Sequence, residues 1–415
     1  MSNNFPWRAI KVATIVVIAL AAAGPSAAAE VAARAAAKTA SPWTQTNYNA
    51  AQSRANLAET ILTRAKVAKI VHLRAITIRP AAQSCSQQVD SLALPGSSVY
   101  AAGGGFVAKY EAASGRLLWR RSTSDTSQDI NDSIAVGGGL VVVGGDQCGS
   151  ASDPLGIIQA FNATTGKLAW TRPITPLEGE LGTLAVSGGL VVSAGQSPGS
   201  GPQLSVRRIG TGTLVWKSDR DVSCNGRMLV VAQVVITGGS TDCTGGAPPI
   251  VARKLASGAR VWQRTGAWTV QRGDASSSAG RHVFATNPKG TVVSLNPVTG
   301  RTQYALRQAT AVLAVGSAQA YAACGSDVCA YSTSDGSLRW KVSVGFTPAL
   351  AAEADGVLYL DGGLALDTGN GKTLATLWTG RSALSLAISD GRIAAVTAPQ
   401  FALSKVIDLY GLKAS

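Results

Sequence analysis

Histidine and acidic residues are scarce in this chain of 415 residues, which has two histidines and 23 Asp or Glu against 37 Lys or Arg. With only His72 and His282 available, a Ser-His-Asp triad is disfavoured. A zinc site is disfavoured too, because the chain has no CxxC pair. Charged residues make up 14% of the chain and hydrophobic residues 46%, which excludes an intrinsically disordered protein. No basic run is interleaved with aromatic residues, so nucleic acid is not an expected partner.

The short motifs that bind nucleotides or calcium are also incomplete. The stretch "DTGNGK" (367–372) lacks the GxxxxGK[ST] frame of a phosphate loop. The glycine-rich stretch "AAGGGFVAKY" (101–110) leads into a strand pattern and not into a helix, which argues against a dinucleotide site. Asp146 and Asp153 lie in one segment, but without the 1, 3, 5 spacing of a calcium loop. We therefore assign no catalytic residue, no metal ligand and no cofactor.

The first 29 residues predict a secretory signal peptide. Arg8 and Lys11 precede the apolar run "VATIVVIALAAAG", and small residues suited to cleavage end near Ala29. At about 13 residues the apolar run is short for a membrane-spanning helix, which needs roughly 20. An uncleaved N-terminal membrane anchor is the alternative. Residues 30–41 predict a flexible linker of low complexity, and the folded part is expected over 42–413.

Six cysteines remain after this segment, and an even number in an exported chain predicts disulfides. Six cysteines allow 15 connectivities. Proximity along the chain favours Cys324 with Cys329 and Cys224 with Cys243, which leaves Cys85 for Cys148. Reduced, buried cysteines are the alternative interpretation.

A formal net charge of +14 predicts attraction to anionic surfaces of the cell envelope, such as lipid head groups or cell-wall polymers. Association with a membrane surface is included in that expectation. Solubility alone is an equally good explanation of the charge.

A glycine followed four residues later by an aromatic residue recurs along the chain, as in "NATTGKLAW" (162–170). The intervals fall from 51 residues, between Gly115 and Gly166, to 35, between Gly336 and Gly371. Such periods indicate a repeat architecture. The turn glycines are Gly115, Gly166, Gly212, Gly258, Gly300, Gly336 and Gly371. The residues four positions later are Trp119, Trp170, Trp216, Trp262, Tyr304, Trp340 and Ala375, so the aromatic has been lost once.

Each repeat offers four strands, which predicts an all-β, eight-bladed β-propeller with four-stranded blades. Hairpins such as "LAVSGGLVVSAG" precede an alternating strand, and the strand with the aromatic residue follows. Eight hairpins are present, turning near Gly96, Gly139, Gly189, Gln233, Gly280, Ser317, Gly356 and Gly391. The eighth has only three strands before the chain ends. We expect residues 69–78 to supply the missing strand and close the ring.

The six aromatic residues of the repeat are expected to dock each blade on its neighbour. Glycine supplies the positive φ of the tight turn, and a buried Trp removes about 150 to 250 Å² from water. At about 25 cal/mol per Å² this amounts to roughly 4 to 6 kcal/mol as an upper bound. An aromatic ligand platform is the less favoured interpretation, since propellers usually bind ligands at the central channel.

These repeats resemble those of the quinoprotein-type propellers, which include quinone-dependent alcohol dehydrogenases and non-enzymatic outer-membrane assembly lipoproteins. The stretch 41–73 is similar to the family's N-terminal segment, in which a Trp and a loop with Asn and Arg precede the closing strand. The enzymatic branch implies pyrroloquinoline quinone (PQQ) over two adjacent, disulfide-linked cysteines, with calcium and a catalytic aspartate. No two cysteines are adjacent here. The lipid attachment of the assembly proteins is missing too.

The function expected from the sequence is therefore that of an exported, non-catalytic, monomeric scaffold. It binds an envelope protein or an anionic cell-wall polymer through its loop faces. The candidate binding rim consists of three long loops, at 144–156, 194–203 and 238–249, and includes Asp146 and Asp153; tolerated surface insertions are the alternative. A divergent PQQ-dependent oxidoreductase with calcium is the second hypothesis.

Overall fold

Successive four-stranded antiparallel sheets follow one another along the chain. The computed structural model describes residues 42–79, 88–123, 129–147, 156–173, 180–197, 201–219, 227–239, 249–274, 280–398 and 405–413. The described residues form 33 strands, one short 3₁₀ helix (Val67–Lys69) and eight sheets. The predicted all-β, eight-bladed propeller is confirmed. The signal peptide and linker predicted over 1–41 lie outside the described residues.

The strands are numbered along the chain. Two precede the first complete blade, β1 (Ala55–Asn56) and β2 (Ile70–Thr77). Blade 1 contains β3 (Val89–Ala93), β4 (Ser98–Gly103), β5 (Phe106–Glu111) and β6 (Leu117–Ser122), and blade 2 contains β7 (Asp129–Gly137), β8 (Leu140–Gln147), β9 (Gly156–Asn162) and β10 (Leu168–Pro173). Blade 3 contains β11 (Glu180–Ser187), β12 (Leu190–Ser197), β13 (Gly201–Arg208) and β14 (Leu214–Ser218), and blade 4 contains β15 (Met228–Val231), β16 (Val234–Thr237), β17 (Ile250–Lys254) and β18 (Arg260–Arg264).

Blades 5 to 8 contain the remaining strands. Blade 5 contains β19 (Thr269–Gly273), β20 (Val283–Thr286), β21 (Val292–Leu295) and β22 (Thr302–Ala305), and blade 6 contains β23 (Ala311–Val315), β24 (Gln319–Cys324), β25 (Asp327–Ser332) and β26 (Leu338–Ser343). Blade 7 contains β27 (Ala351–Ala354), β28 (Val357–Leu360), β29 (Leu364–Asp367) and β30 (Thr373–Thr376), and blade 8 contains β31 (Ser382–Ser389), β32 (Arg392–Ala398) and β33 (Val406–Leu412).

The eighth blade is completed by a strand from the other end of the chain. Its order is β2-β33-β32-β31, and β2 runs antiparallel to β33 from the pair Ile70 and Leu412 to the pair Thr77 and Val406. The prediction that residues 69–78 close the ring is confirmed. Pairing the two chain ends removes the open edges that a terminal sheet would leave.

Burial changes from the middle strands of a blade to its outer strand. All four residues of β16 and of β28 are buried, because each middle strand has a neighbouring blade against both of its faces. In β10 and β26 Trp170 and Trp340 are the buried residues. The core therefore lies between blades, and one aromatic side chain anchors each of these outer strands.

Because antiparallel strands alternate in direction, the ring has two different ends. The turns between first and second strands, and those between third and fourth strands, lie at one end, which we call the turn face. The hairpins between second and third strands lie at the other end, together with the links between blades. We call this end the connection face.

One of the long loops expected on the rim, 194–203 in blade 3, is largely strand, whereas residues 148–155 of the blade 2 loop lie outside the described residues. In blade 3 the ladder between β12 and β13 continues to the pair Ser197 and Gly201, and in blade 2 Asp146 pairs with Gly156. The loop prediction was wrong for blade 3, because the segment 194–203 is rich in Gly, Ser and Gln and shows no alternation of apolar residues. Backbone hydrogen bonds extend these two strand ladders without apolar alternation. Most of the third loop lies outside the described residues.

Candidate functional site

An N-terminal segment, residues 42–59, runs round the inside of the ring and contacts every blade in order. We call it the inner strap. Its backbone or side chains share hydrogen bonds with a first strand, or the turn after it, in each of the eight blades. The partners, from blade 1 to blade 8, are Leu94, Val136, Val186, Val230, Gly273, Val315, Glu353 and Ile388.

Side chains of the strap replace the backbone where it does not reach a blade. The Gln45 amide donates to the Val186 carbonyl (3.1 Å) and accepts from the Val186 N–H (2.9 Å), as a neighbouring strand would. The Asn56 amide donates to the Ile388 carbonyl at 2.8 Å. The Glu59 carboxylate accepts from the Gly391 N–H at 3.1 Å. These contacts lie at the ends of the first strands, so the strap closes the channel at the turn face.

The strap bends through left-handed backbone conformations. Asn47, Tyr48, Gln52 and Arg54 have φ of 62°, 82°, 54° and 54°. Such values cost on the order of 1 kcal/mol or more for residues other than glycine. The bends bring Asn47 and Arg54 together: the Arg54 N–H donates to the Asn47 carbonyl (3.1 Å) and the Arg54 Nε to Asn47 Oδ1 (2.6 Å).

Above the strap the channel contains three arginines. Arg54 comes from the strap, Arg272 from β19, and Arg227 precedes β15. The Arg272 Nη1 donates to the Gln52 carbonyl at 3.3 Å. Buried polar atoms without a hydrogen-bond partner include Arg54 Nη1 and Arg272 Nε, among the residues that the structure describes. Buried donors of this kind are the groups that a bound acceptor would satisfy.

Burial lowers the pKa of two of these arginines, Arg54 and Arg272. It lowers the pKa of Arg54 well below its usual value, with a further lowering from Arg272 and an opposing effect from Asp361. Burial, with a smaller contribution from Arg227, lowers the pKa of Arg272 to about 10. At a pKa of about 10 Arg272 remains charged at neutral pH, so the channel holds positive charge.

Two cavities share Arg227, Gln271 and Arg272 and together form a cup above the strap. The inner cavity, about 240 Å³, also touches Asn47 and Gln52; the outer one, about 390 Å³, also touches Thr310 and Ala349. Thr310 and Ala349 precede the first strands of blades 6 and 7, so the cup opens at the connection face. The arrangement can bind an anion.

Carboxyl groups near the channel are few and perturbed. Burial raises the pKa of Asp361, whose Oδ2 accepts from the Ala349 N–H at 3.1 Å. Burial raises the pKa of Glu353 to about 7, opposed by a hydrogen bond from Tyr321. Among the described residues no group of three His, Cys, Asp or Glu could hold a metal ion.

The six aromatic residues of the repeat contact the next blade in one common way. Each ring lies against the turn glycine of that blade, where a Cβ would approach the ring to between 2.4 Å (Gly336) and 2.8 Å (Gly212). Each ring also donates to the carbonyl three residues before that glycine. The pairs are Trp119 with Ala163, Trp170 with Ile209, Trp216 with Leu255, Trp262 with Pro297, Tyr304 with Thr333 and Trp340 with Thr368.

The seam where the ring closes uses a different residue. Gly115 of blade 1 faces Arg74 of β2, and the Arg74 guanidinium donates to the Ser114 carbonyl. The glycines are therefore needed for close approach as well as for their positive φ, which is 70° at Gly115 and 74° at Gly371.

The remaining predicted residues are only partly described. Cys324 and Cys329 form a disulfide, whereas Cys85, Cys148, Cys224 and Cys243 lie outside the described residues. Asp153 lies outside them too, and Asp146 is described only as a backbone position of β8. The two histidines both have hydrogen-bonding partners. His72 Nε2 lies 2.9 Å from Asp408 Oδ1, and His282 contacts three polar side chains.

The sequence analysis did not predict the inner strap or the three arginines of the channel. Residues 42–56 have no alternating pattern, and their hydrogen bonds join residues up to 332 positions apart. The only indication was the family resemblance of the N-terminal segment, with its Trp and its Asn and Arg residues. Among the described residues no helix has the length and apolar character needed to cross a bilayer.

Comparison with solved structures places this ring among known propellers. Quinohemoprotein alcohol dehydrogenase ADHIIG from Pseudomonas putida HK5 is 11% identical, with a TM-score of 0.67 over 92% of this chain and 82% of that one. A europium-containing methanol dehydrogenase is 12% identical, with a TM-score of 0.64 over 90% and 98%. BamB from Moraxella catarrhalis is 18% identical, with a TM-score of 0.54 over 82% and 99%. At these identities the likeness shows the fold alone.

Sequence comparison shows the family. A search of curated proteins found no match. One family model, described as outer membrane protein assembly factor BamB, matches residues 27–170, 103–277, 154–313 and 267–400, which together span most of the chain. The chain therefore belongs to this family of PQQ-like propellers.

Proposed function

We propose that this protein is an exported, non-catalytic scaffold of the cell envelope. It acts as a monomer and binds an anionic partner at the connection face, either an acidic segment of an envelope protein or an anionic cell-wall polymer. The family description, an assembly factor for outer membrane proteins, supports a protein-binding role outside the cytoplasm.

The observation that carries the proposal is the basic cup. The strap closes the channel at the turn face, Arg227 and Arg272 line the cup above it, and Arg54 of the strap lies close enough to Arg272 for its own pKa to be lowered further. A closed, low-dielectric wall strengthens the field of these charges at the open end. An acidic side chain or polymer end entering the cup would meet Arg227 and Arg272, and the buried Arg272 Nε has no partner among the described residues.

Charge reversal at the mouth of the cup tests this role. Arg227 is exposed and belongs to both cavities, whereas Arg301 is exposed at the turn of blade 5 on the opposite face. We expect Arg227→Glu to weaken binding to immobilised polyglutamate, or to purified anionic wall polymer, at least tenfold. Arg301→Glu changes the net charge equally and should have less than a twofold effect. Equal losses in the two variants would show that only net charge matters and would overturn the site.

A quinone-dependent oxidoreductase is the second candidate, favoured by the higher TM-scores of the two dehydrogenase structures (0.67 and 0.64) than of BamB (0.54). The residues of the cup do not fit PQQ with calcium. Calcium takes six to eight oxygen ligands, often carboxylates, whereas the described cup presents the guanidinium groups of Arg227 and Arg272 and no carboxylate among its described lining residues. The adjacent cysteines of the enzymatic branch are lacking as well.

Reconstitution separates the two candidates. Purified protein is incubated with PQQ and calcium, desalted, and assayed for dye reduction with alcohols and sugars. We expect neither quinone absorbance after desalting nor dye reduction. Retained quinone with substrate-dependent dye reduction would replace the scaffold proposal with the enzymatic one.

A further inference from the structure

Blade 5 departs from the repeat at the residue that docks it on blade 6. Tyr304 stands where five other blades have Trp, and a histidine occupies the space beside it. The His282 Nδ1 lies 3.0 Å from Gln303 Oε1, 3.1 Å from Ser294 Oγ and 3.3 Å from the Tyr304 hydroxyl oxygen. A cluster of four polar side chains therefore includes the docking residue of blade 5.

The hydrogen bonds around His282 assign its tautomer. Ser294 donates its proton to Gln303 Oε1 at 2.7 Å, and Tyr304 donates its proton to the Thr333 carbonyl at 2.6 Å. The three oxygens near Nδ1 can therefore only accept, so Nδ1 carries the proton. In the neutral ring Nε2 is then a hydrogen-bond acceptor. Burial lowers the pKa of His282, against smaller raising effects from Gln303 and Asp274, which favours this neutral form at pH 7.

His282 borders a cavity of about 570 Å³ on the turn face, between blades 5 and 6. Its lining is polar and cationic. Arg281 and Arg339 are exposed at its edge, and Ser317 and Ser334 add exposed hydroxyl groups. Leu57, which follows the strap strand β1, supplies one apolar wall.

The acidic residue of this cavity is engaged in holding its shape. Asp274 is buried, and its Oδ2 accepts from the Arg281 N–H at 2.6 Å, across the turn between β19 and β20. The two arginine side chains thus face a cavity in which the acidic group already accepts a backbone donor. Guanidinium groups recognise carboxylate and phosphate oxygens by paired hydrogen bonds.

We propose that this cavity binds an anionic sugar unit, one that carries a carboxylate or phosphate beside free hydroxyl groups. Arg281 and Arg339 bind the anionic group, the His282 Nε2 accepts from a sugar hydroxyl, and Ser317 and Ser334 bind its neighbours. The site lies at the opposite end of the ring from the basic cup, so it does not depend on the partner proposed there.

The two histidines of the chain make the test direct. Imidazole signals in an NMR spectrum are assigned with His72→Gln, since only His72 and His282 are present. Galacturonate and glucose 6-phosphate serve as carboxylate and phosphate probes, with glucose and inorganic phosphate as controls. We expect saturable shifts of the His282 signals with at least one anionic sugar, an unchanged His72 signal, and at least fivefold weaker binding of glucose and of phosphate.

Matched variants localise the binding. Arg339→Gln removes one cation of the cavity and should weaken the titration at least fivefold, whereas Arg301→Gln removes an exposed arginine of blade 5 outside it and should leave the titration unchanged. Equal shifts of both histidines, equal affinity for glucose or phosphate, or equal effects of the two variants would each overturn the proposal. The channel variant Arg227→Glu should not change this titration, so failure here is distinct from failure of the scaffold proposal.

Discussion

At the scale of single residues, the repeat encodes a contact that crosses from one blade to the next. A ring lies on a glycine that belongs to the following repeat, and its N–H or O–H donates to a carbonyl three residues before it. The glycine and the aromatic within one repeat therefore do not meet each other. Each aromatic is matched to the glycine about one period later.

Truncating one docking residue should be costly. Trp170 is 6% exposed and donates to the Ile209 carbonyl at 2.8 Å. We expect Trp170→Ala to lower the free energy of unfolding by about 3 to 5 kcal/mol, as large aromatic truncations in cores do. Urea unfolding measures this. Leu168→Ala, on the same strand but 48% exposed, is the control and should stay within about 0.5 kcal/mol. An equal effect of both changes would contradict the docking role.

Glu353 should make stability fall as the pH rises. Its pKa is raised by burial to about 7 in the folded protein, from 4.5. The stability that the folded protein has while Glu353 is protonated is fully present below pH 4.5, and it is lost as the pH rises through 7. Glu353→Gln removes this loss, so we expect it to be more stable than the wild type by about 3 kcal/mol at pH 8 and by much less at pH 4.5. Melting temperatures that differ equally at the two pH values would exclude this titration.

At the scale of elements, the inner strap acts as a ninth component of the ring. It is not a blade, yet it bonds to all eight, mostly through the backbone. Its residues are mostly polar or small and show no apolar alternation. Trp43 and Tyr48 are buried in the core, and β1 pairs with β27 as a short parallel strand. A sequence pattern that detects strands by apolar periodicity cannot detect such a segment.

Gln45 is the point where the strap depends most on a side chain. Gln45→Ala would remove both hydrogen bonds to Val186 and leave a buried donor and acceptor without partners. We expect a loss of about 1 to 3 kcal/mol in the free energy of unfolding. Gln159→Ala removes an exposed hydrogen bond to Thr171 and serves as the control. A loss no greater than that of the control would mean that water replaces the amide.

At the scale of the whole molecule, closure by β2 leaves no terminal blade. A linear repeat array opens from its ends, but here β2 and β33 pair over seven residue pairs of one sheet. We expect the amides of 70–77 to exchange with solvent as slowly as those of 168–173, an outer strand far from either chain end. Hydrogen exchange measured by mass spectrometry tests this. Much faster exchange of 70–77 alone would show that the seam opens independently.

How much could be predicted from the sequence follows from how local each feature is. The blades and the turns near Gly139 or Gly356 come from short-range patterns, and the closing strand follows from counting strands. The basic cup could not be predicted, since Arg54, Arg227 and Arg272 are brought together only by the closed ring. The extended hairpin of β12 and β13 was missed because backbone pairing, and not apolar alternation, defines it.

The order in which the inner strap and its partners are synthesised constrains how the chain folds during translation. Residues 42–59 leave the ribosome before any blade, yet the Asn56 and Glu59 partners follow 332 residues later. Until the last blade has been synthesised, the Asn56 and Glu59 side chains lack these partners, so a chain halted before blade 8 leaves both without them. The first segment to be synthesised is therefore the last to complete its hydrogen bonds.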